Sequence, residues 1–464
     1  MTRQHAACQG RGGLLLLLAL LAGCAHPMAR SDTPEPPPNI VLFLVDDLGW
    51  ADLGYSGHRH NLTPTVDRLA AEGVIFTSAY SNAPNCAPSR ACLLTGLLGP
   101  RHGIYTVGSS ARGKANKRKM VPVKNTTVLA SDFITIPEVL DSRGYRSISI
   151  GKWHLGDDPR SQGFDLAIAG DKRGAPPSHL APWKIPSLPE GEMGTVLADR
   201  LTDEAIRFIE SSGDQPFFLY LSHYAVHTPV QATKAEKALW KKRWPDGKLR
   251  HRNYAAMVDS VDRSLARVLA ALEAQDLDER TLVIFFSDNG GHQRFTDNGA
   301  LRGGKGMLYE GGVRVPCIMW GPGVVKGGRS VDDPVQGSDI FPTLLDLATV
   351  PAEKRPDLDG TSLLPLLTGG SLAERSIFWH FPAYLEPYIP AHGDWRETPS
   401  ASLRRGRWKL IEHFEDGRLE LYDLDADISE TKNLADQQPE QLARLHAEMG
   451  NWRRLSKAAM PTPK

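Results

Sequence analysis

The chain has 464 residues, of which 41% are hydrophobic and 23% charged, with 54 Lys and Arg set against 54 Asp and Glu. That length suits two or three structural units, or one large α/β domain with a smaller appendage. The even charge balance argues against a nucleic-acid partner or a polybasic membrane-binding surface. Plentiful Gly (43) and Pro (34) predict many turns and long functional loops.

At the N-terminus, Arg3 and Arg11 flank the start of a leucine-rich run over 14–21, followed by Ala22-Gly23-Cys24. The run is too short to span a bilayer and reads as an export signal. Leu-Ala-Gly-Cys resembles a bacterial lipobox, which implies cleavage before Cys24 and its lipidation; an ordinary signal peptide cut elsewhere is the alternative. Residues 1–24 are read as a lipoprotein signal peptide and 25–38, ending in SDTPEPPP, as a proline-stiffened tether. The protein is then expected in the bacterial cell envelope, on a membrane through its lipid anchor. Cys86, Cys92 and Cys317 remain after the signal and the anchor, which is no disulfide framework. Cys317, in the apolar run VPCIMW, reads as a buried strand residue.

Continuous apolar runs predict strands at 39–45, 145–150, 217–222 and 281–286. Helical periodicity predicts helices at 65–72, 196–211, 253–274 and 340–347. The alternation implies a large, mostly parallel sheet sandwiched by helices, an α/β fold with ligand-binding groups at the carboxyl ends of its strands. The last hundred residues change character. Strands at 377–381, 408–411 and 420–424 and a closing helix at 438–452 imply a smaller C-terminal α+β subdomain, taken as 361–464.

Asp46-Asp47 follows the first strand directly, and Asp288-Asn289 follows the fourth. Adjacent carboxylates repel unless something positive neutralises them. Three carboxylates and an amide oxygen at two strand ends make an all-oxygen site for a hard cation, Ca²⁺ or Mg²⁺. Each pair read alone is as readily a turn.

The decisive stretch is Cys86-Ala87-Pro88-Ser89-Arg90, continuing to Leu94-Thr95-Gly96. It resembles the type I sulfatase family, whose motif is C-x-P-S-R-x-x-x-L-T-G, and departs from it at Leu97, where the family carries a basic residue; Arg101 follows nearby. Gly151-Lys152-Trp153-His154-Leu155-Gly156 is similar to the family's G-K-W-H-L-G. The segment 222–229 (SHYAVHTP) resembles the part that brings a histidine to the leaving group, here His227. The segments 301–305 and 309–316 resemble the lysine-bearing loop, here with Lys305. Glu420 to Leu424, with Glu430 and Asn433, is like the family's C-terminal strand and turn, so the likeness runs from about 39 to beyond 434.

The resemblance implies an alkaline-phosphatase-like fold with a catalytic domain over 39–360. It implies a sulfuric ester hydrolase acting on sulfated carbohydrates or aryl sulfates, with Cys86 oxidised to formylglycine by a dedicated maturation enzyme. It assigns Cys86, Arg90, Lys152, His154, His227 and Lys305 to catalysis, and Asp46, Asp47, Cys86, Asp288 and Asn289 to the cation. In that scheme the hydrated aldehyde attacks sulfur and Lys152 and Lys305 neutralise the sulfate. Arg90 holds the nucleophile and the carboxylates, and His227 or Lys305 protonates the leaving oxygen. His154 then takes the proton that lets sulfate depart. The alternatives are a phosphate or phosphonate ester hydrolase of the same superfamily and a non-catalytic lipoprotein that binds sulfated glycans. His223 reads as structural. Asp52, His58, His60, His102, His292 and Asp297 are further pocket candidates, and the aromatic stretch 383–396 is a candidate sugar-binding loop.

Overall fold

The structure is a computed structural model that describes residues 37–388 and 393–464. The signal peptide, Cys24 and the tether up to residue 36 lie outside the described residues. Among those described, no helix is long and apolar enough to cross a membrane.

The centre is an eight-stranded sheet in the spatial order Arg329–Val331, Val74–Phe76, Cys317–Trp320, Thr281–Ser287, Asn39–Val45, Phe217–Ser222, Arg146–Gly151, Leu166–Ile168. Every neighbouring pair is parallel except the two made by Cys317–Trp320. Alternate side chains of one strand point to opposite faces, so a sheet covered on both sides needs unbroken apolar runs. In Asn39–Val45, Val41, Phe43 and Val45 face one core and Ile40, Leu42 and Leu44 the other. The first core is closed by the helices Pro64–Glu72, Leu197–Glu210 and Leu249–Ala274. The second is closed by Cys86–Thr95, Ile136–Asp141 and Ile340–Leu347.

A four-stranded antiparallel meander, Ser376–Phe381, Ser400–Arg405, Trp408–His413 and Leu419–Asp423, follows the large sheet. The helix Pro439–Leu455 lays Leu445 and Met449 against Ala401, Leu403, Leu410 and Leu421 of this meander. The expected mostly parallel sheet and C-terminal α+β unit are therefore present. The structure adds the meander strand Ser400–Arg405 and the short strands Val74–Phe76, Leu166–Ile168 and Arg329–Val331. It extends the helix expected at 253–274 back to Leu249.

Candidate active site

The sheet register builds the site. Val45 lies opposite Ser287 on parallel neighbouring strands, so Asp46 and Asp288 leave the sheet at the same edge. Gly151 lies opposite Ser222 on the next pair, which brings Lys152 to that edge as well. Gly151 has φ +95°, and a Cβ there would sit 2.0 Å from the Ser222 carbonyl oxygen, so only glycine admits the approach. Cross-strand bonds lock the exits: the Asp46 amide donates to the Ala225 carbonyl (3.0 Å) and the Lys152 amide to that of Ser222 (2.8 Å).

Arg90 rises from the helix Cys86–Thr95 and is fully buried. Its Nε donates to Asp288 Oδ2 at 2.8 Å and its Nη1 to the Lys152 carbonyl at 2.8 Å and to the Ser222 hydroxyl. Burial would lower its pKa, but Asp288, Tyr220 and Asp46 hold it above the ordinary value. Lys152 Nζ, also fully buried, lies 2.6 Å from Asp46 Oδ2. Lys305 Nζ lies 2.6 Å from Asp47 Oδ1, and His227 Nε2 is 3.7 Å from Asp47 Oδ2. Against burial, Lys305 and His227 hold the Asp47 carboxyl below its usual range. Burial, then the Asp288 carboxylate, pushes Asp46 well above it.

Cys86 opens its helix, with Sγ 3.5 Å from His154 Nδ1. Burial first, then Lys152 and Arg90, hold His154 well below its ordinary pKa, so the ring is neutral and able to accept a proton. His227 is lowered in the same way by burial and Lys305. Its Nδ1 faces the Thr228 carbonyl at 2.8 Å, which sets the Nδ1–H tautomer and leaves Nε2 toward Asp47.

The donors of Asp46, Cys86 and Asp288 lie within 4.8 Å of one another, as do those of Asp46, Asp47 and His227. Asp46 Oδ1 and Asn289 Oδ1 are buried with no hydrogen-bond partner among the described residues. Buried acceptors without partners are costly, and a hard cation satisfies both. Asn289 Nδ2 donates to Asp47 Oδ1 at 2.8 Å, which turns its free oxygen away from that carboxylate.

The other candidates scatter. His223 Nε2 is 2.9 Å from the Ser264 hydroxyl in the core, and His102 Nε2 lies 3.3 Å from Cys92 Sγ. Asp52 is buried, accepting from Gly49 N, Tyr254 and Thr296. Asp52, His58 and Asp297 do line one cavity together, and His60 stacks on Trp244 of the same lining. His292 stacks on Tyr388 at 3.7 Å. Arg101 pairs with Asp357 and Asp359 rather than entering the site, while Leu97 is buried. Sequence reasoning missed the Ser222 hydroxyl, which receives Arg90, and His179, whose Nε2 lies 2.9 Å from the His227 carbonyl oxygen. Ser222 could have been found as the strand-end residue of its motif; nothing in the sequence marks His179.

The Sulfatase family profile matches residues 38–350, and a profile described as N-sulphoglucosamine sulphohydrolase, C-terminal, matches 303–456. A protein named Sulfatase from Formosa agariphila is 32% identical, covering 92% of this chain and 89% of its own length. The N-acetylgalactosamine-6-sulfatase of Mus musculus is 34% identical, covering 81% of this chain and 74% of its own. The solved structure of Ps i-CgsB in complex with k-i-k-neocarrahexaose superposes with a TM-score of 0.74 at 29% identity, over 90% of this chain and 92% of that one. Together with the strand-end carboxylates, the lysines and the buried Cys86, these likenesses establish that the chain belongs to the sulfatase family and is a sulfuric ester hydrolase.

Proposed function

We propose that the protein removes sulfate from a sulfated carbohydrate, with residue 86 matured to formylglycine and a divalent cation held by Asp46, Asp47, Asp288 and Asn289. One observation carries the reading. Cys86, His154 and three carboxylates converge at one sheet edge, where two buried oxygens lack partners among the described residues. The all-oxygen donor set fits Ca²⁺ or Mg²⁺, and the cation would supply positive charge to offset the anionic ester. The aldehyde made from Cys86 supplies, as its hydrate, one hydroxyl to attack sulfur and a second through which sulfate is eliminated.

The chain's own residues do the remaining work. Lys152 and Lys305 add positive charge where an anionic nucleophile must meet an anionic ester. Arg90 fixes Asp288 and the strand ends from below. His154 Nδ1 is placed to take a proton from the residue-86 side chain. Lys305, charged beside Asp47, is the group that can hand a proton to the departing oxygen, and His227 could do so only once protonated at Nε2. The carbohydrate class is supported by the relative named for N-acetylgalactosamine-6-sulfate and by the neighbour solved with neocarrahexaose. For location, the reading is export and lipid anchoring at Cys24, tested by palmitate labelling that Cys24→Ser abolishes.

The test of the function pairs two measurements on protein made with its maturation system. A mass spectrum of the peptide bearing residue 86 should display the loss that converts thiol to aldehyde. Sulfate release from sulfated oligosaccharides should stop on chelation and return with Ca²⁺ or Mg²⁺. Turnover by protein with an unmodified thiol would overturn the formylglycine chemistry. Faster turnover of a phosphonate monoester than of any sulfate ester would favour the phosphorus-directed alternative.

A further inference from the structure

Beside the catalytic centre lies a cavity of about 200 Å³ lined by Gln293, Arg294, Met307, Tyr388, Trp395 and Arg396, with Pro387 at its edge. It is built onto the catalytic loop. Met307 is two residues past Lys305, and Gly306 between them lies against the Arg396 guanidinium: a Cβ there would be 2.7 Å from its Nε. The Gly306 amide in turn donates to the Pro84 carbonyl at 2.8 Å, just ahead of Cys86. On the other wall the His292 ring stacks on Tyr388.

Arg396 is the unusual member. Its guanidinium carbon lies 3.6 Å from the Tyr388 ring centroid. Among the described residues its Nε and Nη1 are buried without a hydrogen-bond partner and no carboxylate pairs with it, which leaves Nη2 as its accessible nitrogen. The nearby Glu386 is already held by Arg112 at 2.8 Å. Burial, then Arg112, pushes Arg396 down to about 10. A guanidinium taken out of water normally has a counter-ion, because an unpaired buried charge is costly. No described residue supplies that counter-ion, and the partly buried guanidinium lines a cavity whose wall continues the Lys305 loop.

We propose that this cavity is a substrate subsite in which Arg396 receives a second anionic group, a carboxylate or a further sulfate, carried by the same saccharide whose sulfate ester is cut. Trp395 supplies an aromatic surface for the sugar ring that bears it, while Tyr388, with His292 and Arg396 against its ring, holds the guanidinium in place. The subsite selects dianionic saccharides over singly charged ones. This rests on the carbohydrate reading above and specifies its substrate class.

The experiment compares matured wild type and Arg396→Gln on four substrates. They are 4-nitrophenyl sulfate, a monosulfated monosaccharide, a disulfated saccharide, and a monosulfated saccharide bearing a uronic carboxylate. Loss of one charge-assisted contact predicts that kcat/KM on a dianionic saccharide, relative to 4-nitrophenyl sulfate, falls by about ten- to a hundredfold in the variant. Whichever dianionic saccharide falls further names the anion, and Arg396→Lys should recover part of the ratio. An unchanged ratio for both, with the wild type still cutting saccharides, overturns the subsite and leaves the carbohydrate reading standing. A wild type that cuts only the aryl ester overturns both.

Discussion

Asp46 places one carboxylate oxygen on Lys152 and leaves the other buried with no partner among the described residues, an asymmetry that suits the proposed cation. The proposed chemistry at residue 86 needs a side chain with two oxygens, one to attack and one to release. Serine has one. Cys86→Ser is therefore expected to fold, to release one equivalent of alcohol slowly, and to stall as a sulfated enzyme, read as a mass adduct on the residue-86 peptide. Repeated turnover at the wild-type rate would sink the proposal. A second residue gives a pH signature. Burial pushes Asp52 up to about 6 despite hydrogen bonds from Thr296, Tyr254 and Gly49. A carboxyl raised on folding binds its proton more tightly in the native state. Stability from this group is thus fullest below about pH 4 and falls as pH rises to about 6, by up to about 3 kcal/mol. Denaturant midpoints across that range should show the fall in wild type and its loss in Asp52→Asn. A slope common to both proteins would contradict it. The residues proposed for catalysis could be picked out in the sequence because each sits in a contiguous motif. Asp52 and Arg396 could not, since their meaning lies in groups far along the chain: Thr296 for the first, Gly306 for the second.

Among the elements, the glycine-rich segment after Lys305 is held by the C-terminal sheet. Lys409, in the strand Trp408–His413, reaches Glu310 at 2.8 Å and Glu430 at 2.9 Å, all three fully buried. The Glu310 amide also donates to Glu430 Oε2 at 2.7 Å. The sheet thereby sets where the Lys305 loop lies. Removing one partner of a buried ion pair strands the others, so Lys409→Met should cost about 3–5 kcal/mol of stability. It should lower kcat more than it raises KM, as expected for a residue that positions Lys305 at a distance. An unfolding midpoint and kcat close to wild type would refute this tie. The long apolar strands could be read from sequence because burial on both faces demands unbroken hydrophobic runs. Ser400–Arg405 could not: its sequence SASLRR puts Ser402 on the Leu410 carbonyl (2.9 Å) and Arg404 on the Tyr80 hydroxyl. Those polar residues are satisfied only by partners from other elements. Val74–Phe76, Leu166–Ile168 and Arg329–Val331 are three residues each, too short to carry a period.

Across the whole molecule, the two sheets share packing. Tyr80, Leu308 and Val313 from the first part of the chain form one apolar cluster with Ile377, Trp379, Phe381 and Leu385. Residues 37–464 make a single packed unit, and the helix Cys86–Thr95 lies inside it with all ten of its residues buried. That burial sets an order of events. On the maturation proposed above, an enzyme that must close around residue 86 would reach it only while the surrounding chain is still extended, so oxidation would have to precede folding. Each newly made chain would then be in a race between two clocks, and one that folded first would keep its thiol. Maturation enzyme added to folded, unmodified protein should yield no aldehyde at residue 86, whereas the same enzyme given a peptide spanning 80–98 should convert it. On that proposal the share of working molecules in a cell would be a kinetic quantity, fixed at synthesis and beyond later repair.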